Sequence, residues 1–329
     1  MKYRRLGKTG YKVSEVGFGA WAIGASWGNT DDKTSLLALH AAADFGVNFI
    51  DTADVYGDGH SEKLIAKFLR QRKGKEKIYV ATKAGRRLNP HVSEGYNGKN
   101  IEKFIDRSLQ NLKVEALDLL QLHCPPNDVY YNPILFEYLE KLVKKGKIRH
   151  FGVSVEKVEQ AIKAIDYPQV STVQIIFNIF RQRPKELFFD QARKKDVGII
   201  VRVPLASGLL TGKYGLNSKF PKNDHRNYNR YGQSFDIGET FAGVDYAAGV
   251  KAVKKLEKIK PADMTMPQFA IRFILDHVQI STTIPGGKTP KQVMDNTKAS
   301  SLKPLSQATY KQITKIYEEL VKPQVHNKW

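Results

Sequence analysis

Eight short apolar runs alternate strictly with amphipathic segments along this chain of 329 residues, and that alternation leaves few folds open. The runs are residues 16–19, 48–51, 77–83, 118–123, 150–154, 172–177, 198–203 and 279–284. Most are continuously apolar, as expected of strands buried on both faces. Between them lie helical stripes. Ile101, Phe104, Ile105, Leu109 and Leu112, for example, recur at the three-and-four spacing of a core-facing helix. Regular βα units argue for a parallel α/β sheet, and eight of them for a closed (β/α)8 TIM barrel.

The flanks add to that plan without dividing it. Gly7-Lys8-Thr9-Gly10 between two short polar–apolar runs predicts an N-terminal β-hairpin. Asp31 and Asp32 start a helix over 33–45, and Gly46 takes its left-handed carboxyl cap. Further helices are expected over 61–71, 133–145 and 184–195. Strands seven and eight are separated by a polar stretch, 214–245, and two extra helices, 247–259 and 267–276. Pro290 opens a helix after strand eight, and a last helix covers 306–321. No composition break marks a linker, so residues 1–329 read as a single barrel domain.

A hydrophobic fraction of 41% supports one large core. No apolar run approaches the roughly 20 residues that span a bilayer. The basic, polar N-terminus is not a secretory signal. Cys124 is the only cysteine, which excludes an intramolecular disulfide framework and a cysteine-based zinc site, and no metal is expected. These features favour a soluble cytoplasmic protein. The net charge of +20 raises nucleic acid as a partner. However, the basic residues are spread over helices, as at 144–149, 193–195 and 251–260, with no basic tail, zinc-knuckle spacing or RNP-like motif. Solvated helix faces explain them better, and part of the excess would attract a phosphorylated small molecule. Neither nucleic acid nor membrane is expected as a partner.

Two motif matches fail on context. Residues 17–22 fit G-x-G-x-x-G/A loosely, but a dinucleotide motif must open into a helix, and 21–30 is rich in Gly, Trp and Asn. Tyr79-Val-Ala-Thr-Lys83 has a Tyr-x-x-x-Lys spacing that brings side chains together only on a helix. Here it lies in a strand, so Tyr79 is expected to pack and Lys83 to emerge.

Three successive strands stop at ionisable residues, namely Asp51, Lys83 and His123, and Tyr56 follows the first of them. Parallel strands deliver their ends to one face. An ammonium beside a phenol favours the phenolate, so Lys83 is expected to acidify Tyr56, with Asp51 holding Lys83 protonated. His123 would orient a carbonyl oxygen. Such a set is a general acid aimed at a developing alkoxide.

The strings Asp51-Thr-Ala-Asp-Val-Tyr56-Gly57, Ala-Thr-Lys83 and Leu-Asp118-Leu-Leu-Gln-Leu-His123 resemble the catalytic segments of aldo-keto reductases. The likeness extends from the hairpin to Asn296. The resemblance implies NAD(P)(H)-dependent reduction of an aldehyde or ketone, in the alcohol dehydrogenase or carbonyl reductase class. Tyr56 would be the proton donor, supported by Asp51, Lys83 and His123. By the same resemblance, Gly19, Ala20 and Trp21 match the first cofactor loop, and Ser154 and Gln174 the holders of the nicotinamide carboxamide. Leu205, Ser207, Gly208, Leu210, Gly212 and Lys213 match the pyrophosphate loop. Gly286, Gly287, Lys288, Gln292 and Asn296 match the adenosine 2′-phosphate segment. Phosphate sites in these barrels favour the loops after strands seven and eight, and Lys288 beside a helix N-terminus argues for NADP(H) over NAD(H).

The sequence departs from the family pattern twice. Val155 replaces the usual asparagine after the strand-five serine, and Arg202 replaces the aromatic that stacks on the nicotinamide. Arg202 would either stack on the nicotinamide by its planar guanidinium or point elsewhere, and a cofactor affinity below the family norm is expected. Trp21, Trp27, Tyr56, His123 and Tyr130 would contact substrate, and the aromatic loops around them suit an apolar or aromatic carbonyl compound. An alternative on the same fold is a cofactor-sensing regulatory subunit with little turnover, resembling channel-associated β subunits.

Overall fold

A computed structural model of the protein describes residues 1–24 and 31–329. The expected hairpin is present: β1 (Tyr3–Arg5) pairs antiparallel with β2 (Lys12–Ser14). Its turn, Gly7–Thr9, lies against the barrel so closely that a Cβ on Gly7 would fall 2.1 Å from the Gly198 nitrogen. Gly7 also has φ +49°. The hairpin is a plug. Leu6 and Val13 are buried with Phe49, Ala81, Leu119, Ile200 and Ile284. Tyr79 packs at this same end, its ring stacked 4.1 Å from that of Tyr11.

The eight barrel strands follow in chain order: β3 (Phe18–Gly19), β4 (Phe49–Asp51), β5 (Tyr79–Ala84), β6 (Leu117–His123), β7 (Ile148–Ser154), β8 (Thr172–Ile176), β9 (Gly198–Arg202) and β10 (Ile280–Thr283). All neighbouring pairs are parallel. Parallel bridges between Val16 and Thr283 and between Gly19 and Gly286 join the two edges. The Gly17 N–H donates to the Thr283 carbonyl at 2.8 Å, and Thr283 N–H to the Glu15 carbonyl at 3.0 Å. Among the described residues, these contacts join the two edge strands of the sheet.

Helices form the outer layer, and their starts are encoded locally. Asp31, Asn97, Asn132, Asp245, Thr265, Thr289 and Ser306 each accept a backbone N–H of the helix they open. Gly46 takes φ +85° after the first. One expectation needs correcting. The continuous helix over 184–195 is instead a short 3-10 turn, Arg183–Lys185, and a helix, Phe188–Lys194. Leu187 breaks it at φ −137°, letting Phe188 and Phe189 turn into the core. Among the described residues, no helix is long and apolar enough to cross a membrane.

Candidate active site

Strand order decides what meets at the barrel mouth. β4, β5 and β6 are neighbours, so Asp51, Lys83 and His123 finish side by side, and Tyr56 lies in the turn that leaves β4. Lys83 Nζ donates to Asp51 Oδ2 at 2.5 Å and to the Thr52 carbonyl at 2.8 Å, and it lies 3.4 Å from the Tyr56 hydroxyl. The charged side chains are only 1% and 3% exposed. Burial alone would lower the Lys83 pKa, but Asp51 and then Tyr56 raise it above the ordinary lysine value. The ammonium is therefore kept.

Tyr56 departs from the expectation of an acidified phenol. Burial raises its pKa, and this outweighs the lowering effect of Lys83. The sequence shows the cation but not how far the ring is withdrawn from water, which here is in part. His123 is held well below the usual histidine range, first by burial and then by Arg86, Lys83 and Arg202. It is a neutral imidazole, its ring edge-on to Tyr56 at 6.0 Å. Its Nδ1 is buried without a hydrogen-bond partner.

The second oxygen of Asp51 is held from across the barrel. Gln121 and Gln174 both donate to Oδ1, at 3.0 and 2.7 Å. The Ser154 hydroxyl donates to Gln174 Oε1 at 3.4 Å. Ser154 and Gln174 are thus adjacent as expected, although the Gln174 amide nitrogen serves Asp51. Gln121 escaped the sequence reading. Its signal was positional, because it alternates with Leu119 and His123 on the inward face of β6.

Beside the tetrad lies a charged cluster that the sequence did not announce. Arg86 donates to Glu239 Oε1 at 2.8 Å and faces Glu156 at 3.5 Å. Arg202 faces the same Glu239 at 3.5 Å, donates to the Val155 carbonyl at 3.0 Å and lies 3.6 Å from Cys124 Sγ. The two departures from the family pattern are therefore contacts of one another. Despite burial, which would raise it, Glu239 is pulled down to about 2 by Arg86 and Arg202. Glu156 is pushed up to about 7 by burial and then by Glu239. Burial lifts the Cys124 thiol to about 11. Ligand atoms of Cys124, Glu156 and Glu239 lie within 4.8 Å of one another, a spacing a metal could use. The two guanidiniums already supply the positive charge there.

The expected substrate and cofactor residues separate by position. The Trp21 ring lies over Tyr56 at 6.0 Å, and near His225 at 4.7 Å and Phe235 at 5.9 Å. Trp27 lies outside the described residues. Tyr130 is a core residue, 1% exposed, rather than an open rim residue. The mouth is thus aromatic on one side and ionic on the other, not uniformly apolar.

Gly19 bridges to Gly286, and the Ala20 N–H donates to the Asp51 carbonyl at 2.8 Å. After β9, Ala206, Ser207 and Gly208 take φ +47°, +53° and +90° in succession, between Leu205 and the buried Leu210. Gly212, at φ +75°, ends the turn before Lys213. The Ser207 hydroxyl donates to the Glu239 carbonyl at 3.0 Å. Arg226, unnoticed in a stretch read only as polar, is chelated by Asp224 at 2.6 and 2.9 Å and donates to the Ser207 carbonyl at 3.4 Å. After β10, Gly286 and Gly287 lead into the helix Pro290–Lys298. The Lys288 N–H donates to Gln292 Oε1 at 2.8 Å, and Asn296 donates to the Gly286 carbonyl at 3.1 Å. Burial lowers the Lys288 pKa while Asp224 raises it, which brings the loops after β9 and β10 into electrostatic contact.

Comparison with known proteins agrees with this geometry. The Aldo/keto reductase family matches residues 15–318. Aldo-keto reductase YhdN of Bacillus subtilis is 30% identical over 89% of this chain and 87% of its own length. Aldo-keto reductase yakc of Schizosaccharomyces pombe, whose name carries NADP(+), is 31% identical over 92% and 87%. The structure of a glycerol dehydrogenase from Gluconobacter oxydans superimposes with a TM-score of 0.76 at 30% identity, covering 97% of this chain and 96% of that one. With the parallel barrel and the Asp51, Tyr56, Lys83 and His123 cluster in place, these matches show that the chain belongs to the aldo/keto reductase family of oxidoreductases.

Proposed function

We propose that the protein reduces an aldehyde or ketone to the alcohol with NADPH, with Tyr56 as the general acid. The observation that carries this reading is the Tyr56 hydroxyl 3.4 Å from a buried ammonium that Asp51 keeps charged. A carbonyl oxygen seated on that hydroxyl accepts its proton as negative charge develops. Lys83 then offsets the phenolate left behind, inside a site where such charges are weakly screened. His123, neutral, helps to fix the carbonyl oxygen.

The residues present fit the cofactor. Lys288 stands before a helix N-terminus capped by Thr289, and Arg226 lies beside the loop after β9. Three successive residues at positive φ shape that loop into a concavity suited to phosphate. Lys288 at this end supports NADP(H) over NAD(H), as does the name of the yakc relative. When bound, the cofactor supplies the hydride.

The test is Tyr56→Phe. Carbonyl-dependent NADPH oxidation should fall by about 100-fold or more while NADPH binding, followed by fluorescence, persists. Wild-type turnover in that variant would remove Tyr56 from the mechanism. Bound NADPH without turnover of any small aldehyde by the wild type would favour a sensor instead.

A further inference from the structure

Arg202 is fixed at the C-terminal end of β9 by the Val155 carbonyl at 3.0 Å and by Glu239 at 3.5 Å, with its side chain 9% exposed. A nicotinamide whose phosphates rest on the loops after β9 and β10 must cross this strand end to bring its hydride to a carbonyl on Tyr56. Glu239 is shared with Arg86, which it meets more closely, at 2.8 Å. Among the described residues Glu156 faces Arg86 alone, at 3.5 Å, so Arg202 is left with only a share of one carboxylate and its positive charge is incompletely offset. The oxidised nicotinamide ring carries a unit positive charge and the reduced ring carries none. A cation held beside the ring in an enclosed site therefore discriminates between the two, and salt screens it little.

Resting on the cofactor reading above, we propose that Arg202 sets the redox preference of the site. It disfavours NADP+ relative to NADPH and so biases the protein toward carbonyl reduction. Its neighbour Glu239 moderates the effect.

The dissociation constants of NADPH and NADP+ for the full-length protein, measured by quenching of tryptophan fluorescence, test this without any turnover. In the wild type, Kd for NADP+ should exceed that for NADPH by about tenfold, which corresponds to about 30 mV for a two-electron couple. Arg202→Gln should lower that ratio by about threefold or more, whereas Arg202→Lys, which keeps the charge but not the fork of hydrogen bonds, should preserve most of it. Glu239→Gln should move the ratio in the opposite direction. An unchanged ratio in Arg202→Gln overturns the proposal. So does an equal fall in Arg202→Gln and Arg202→Lys, which would assign the effect to packing. If Arg202→Gln does not fold, a ratio in Glu239→Gln that stays put or falls decides against it. If the wild type binds neither nucleotide, the cofactor reading itself fails, and that outcome is distinct from the others.

Discussion

Gln174 donates its side-chain amide to Asp51 Oδ1 at 2.7 Å from the opposite wall of the barrel. A residue expected to serve the nicotinamide thereby also braces the tetrad. Asp51 is a buried charge with three donors on its two oxygens, and hydrogen bonds to such groups contribute about 1.5–3 kcal/mol each. Gln174→Met should therefore cost about 2 kcal/mol in denaturant unfolding and lower kcat about tenfold, as Asp51 loses its hold on Lys83. If kcat stays at the wild-type level and only the NADPH affinity drops, the brace has no catalytic consequence.

The pH dependence follows from two directions. Burial holds Tyr56 above the ordinary tyrosine value, so the phenol stays protonated through neutral pH, and His123 stays neutral because its pKa is well below the usual range. A proton donor that is already loaded gives a flat profile. The kcat/KM for carbonyl reduction should thus be level between about pH 6 and 9. Alcohol oxidation needs the phenolate as base and should rise with pH over the same interval, by up to about tenfold per unit. A reduction profile that falls with an apparent pKa near 7 would mean that another group supplies the proton.

What was legible in the chain was whatever is written locally. The tetrad could be read because β4, β5 and β6 are consecutive in sequence and adjacent in the sheet, so three strand endings predict one pocket. The helix caps and Gly46 are equally local. Arg86 and Glu239, by contrast, are 153 residues apart and neither lies in a motif. Their pairing depends on where the segment after β9 folds back. The sign of the Tyr56 shift was misjudged for a related reason. A neighbouring lysine is visible in sequence, whereas the depth of burial that outweighs it belongs to the assembled barrel.

Asp54 offers a stability prediction with a definite sign. It is fully buried, neither carboxyl oxygen has a hydrogen-bond partner, and burial followed by the nearby Glu62 pushes it up to about 7. Below the unfolded value of 3.8 both states are protonated and no penalty exists. As pH rises toward 7 the unfolded state releases its proton first, so folding becomes progressively less favourable. The full difference corresponds to about 4 kcal/mol as an upper bound. Asp54→Asn should raise the unfolding free energy by about 2 kcal/mol at pH 8 and change it little near pH 4. Equal effects at the two pH values would show that Asp54 stays ionised in the native protein.

Trp329 packs against the segment that carries Glu239. Its ring packs 3.9 Å from the Arg181 guanidinium, and its Nε1 donates to Asp236 Oδ1 at 2.8 Å. Arg181 in turn donates to the Ala242 and Gly238 carbonyls at 3.1 and 3.3 Å. The segment pinned in this way includes Glu239, which faces Arg86 and Arg202, and it leaves no room for side chains at its glycines. A Cβ on Gly243 would meet the indole at 2.5 Å, and one on Gly238 at 2.8 Å. Trp329→Ala removes the stacking partner of a buried guanidinium and should cost about 3 kcal/mol. Glu239 touches the cluster rather than Lys83 or Tyr56, so kinetic effects should fall on binding. KM for NADPH should rise about fivefold or more while kcat stays within about threefold. Trp329→Phe, which keeps a ring over Arg181 but loses the bond to Asp236, should recover most of the stability and part of the KM. A kcat that collapses with KM unchanged would instead connect this segment to the proton donor.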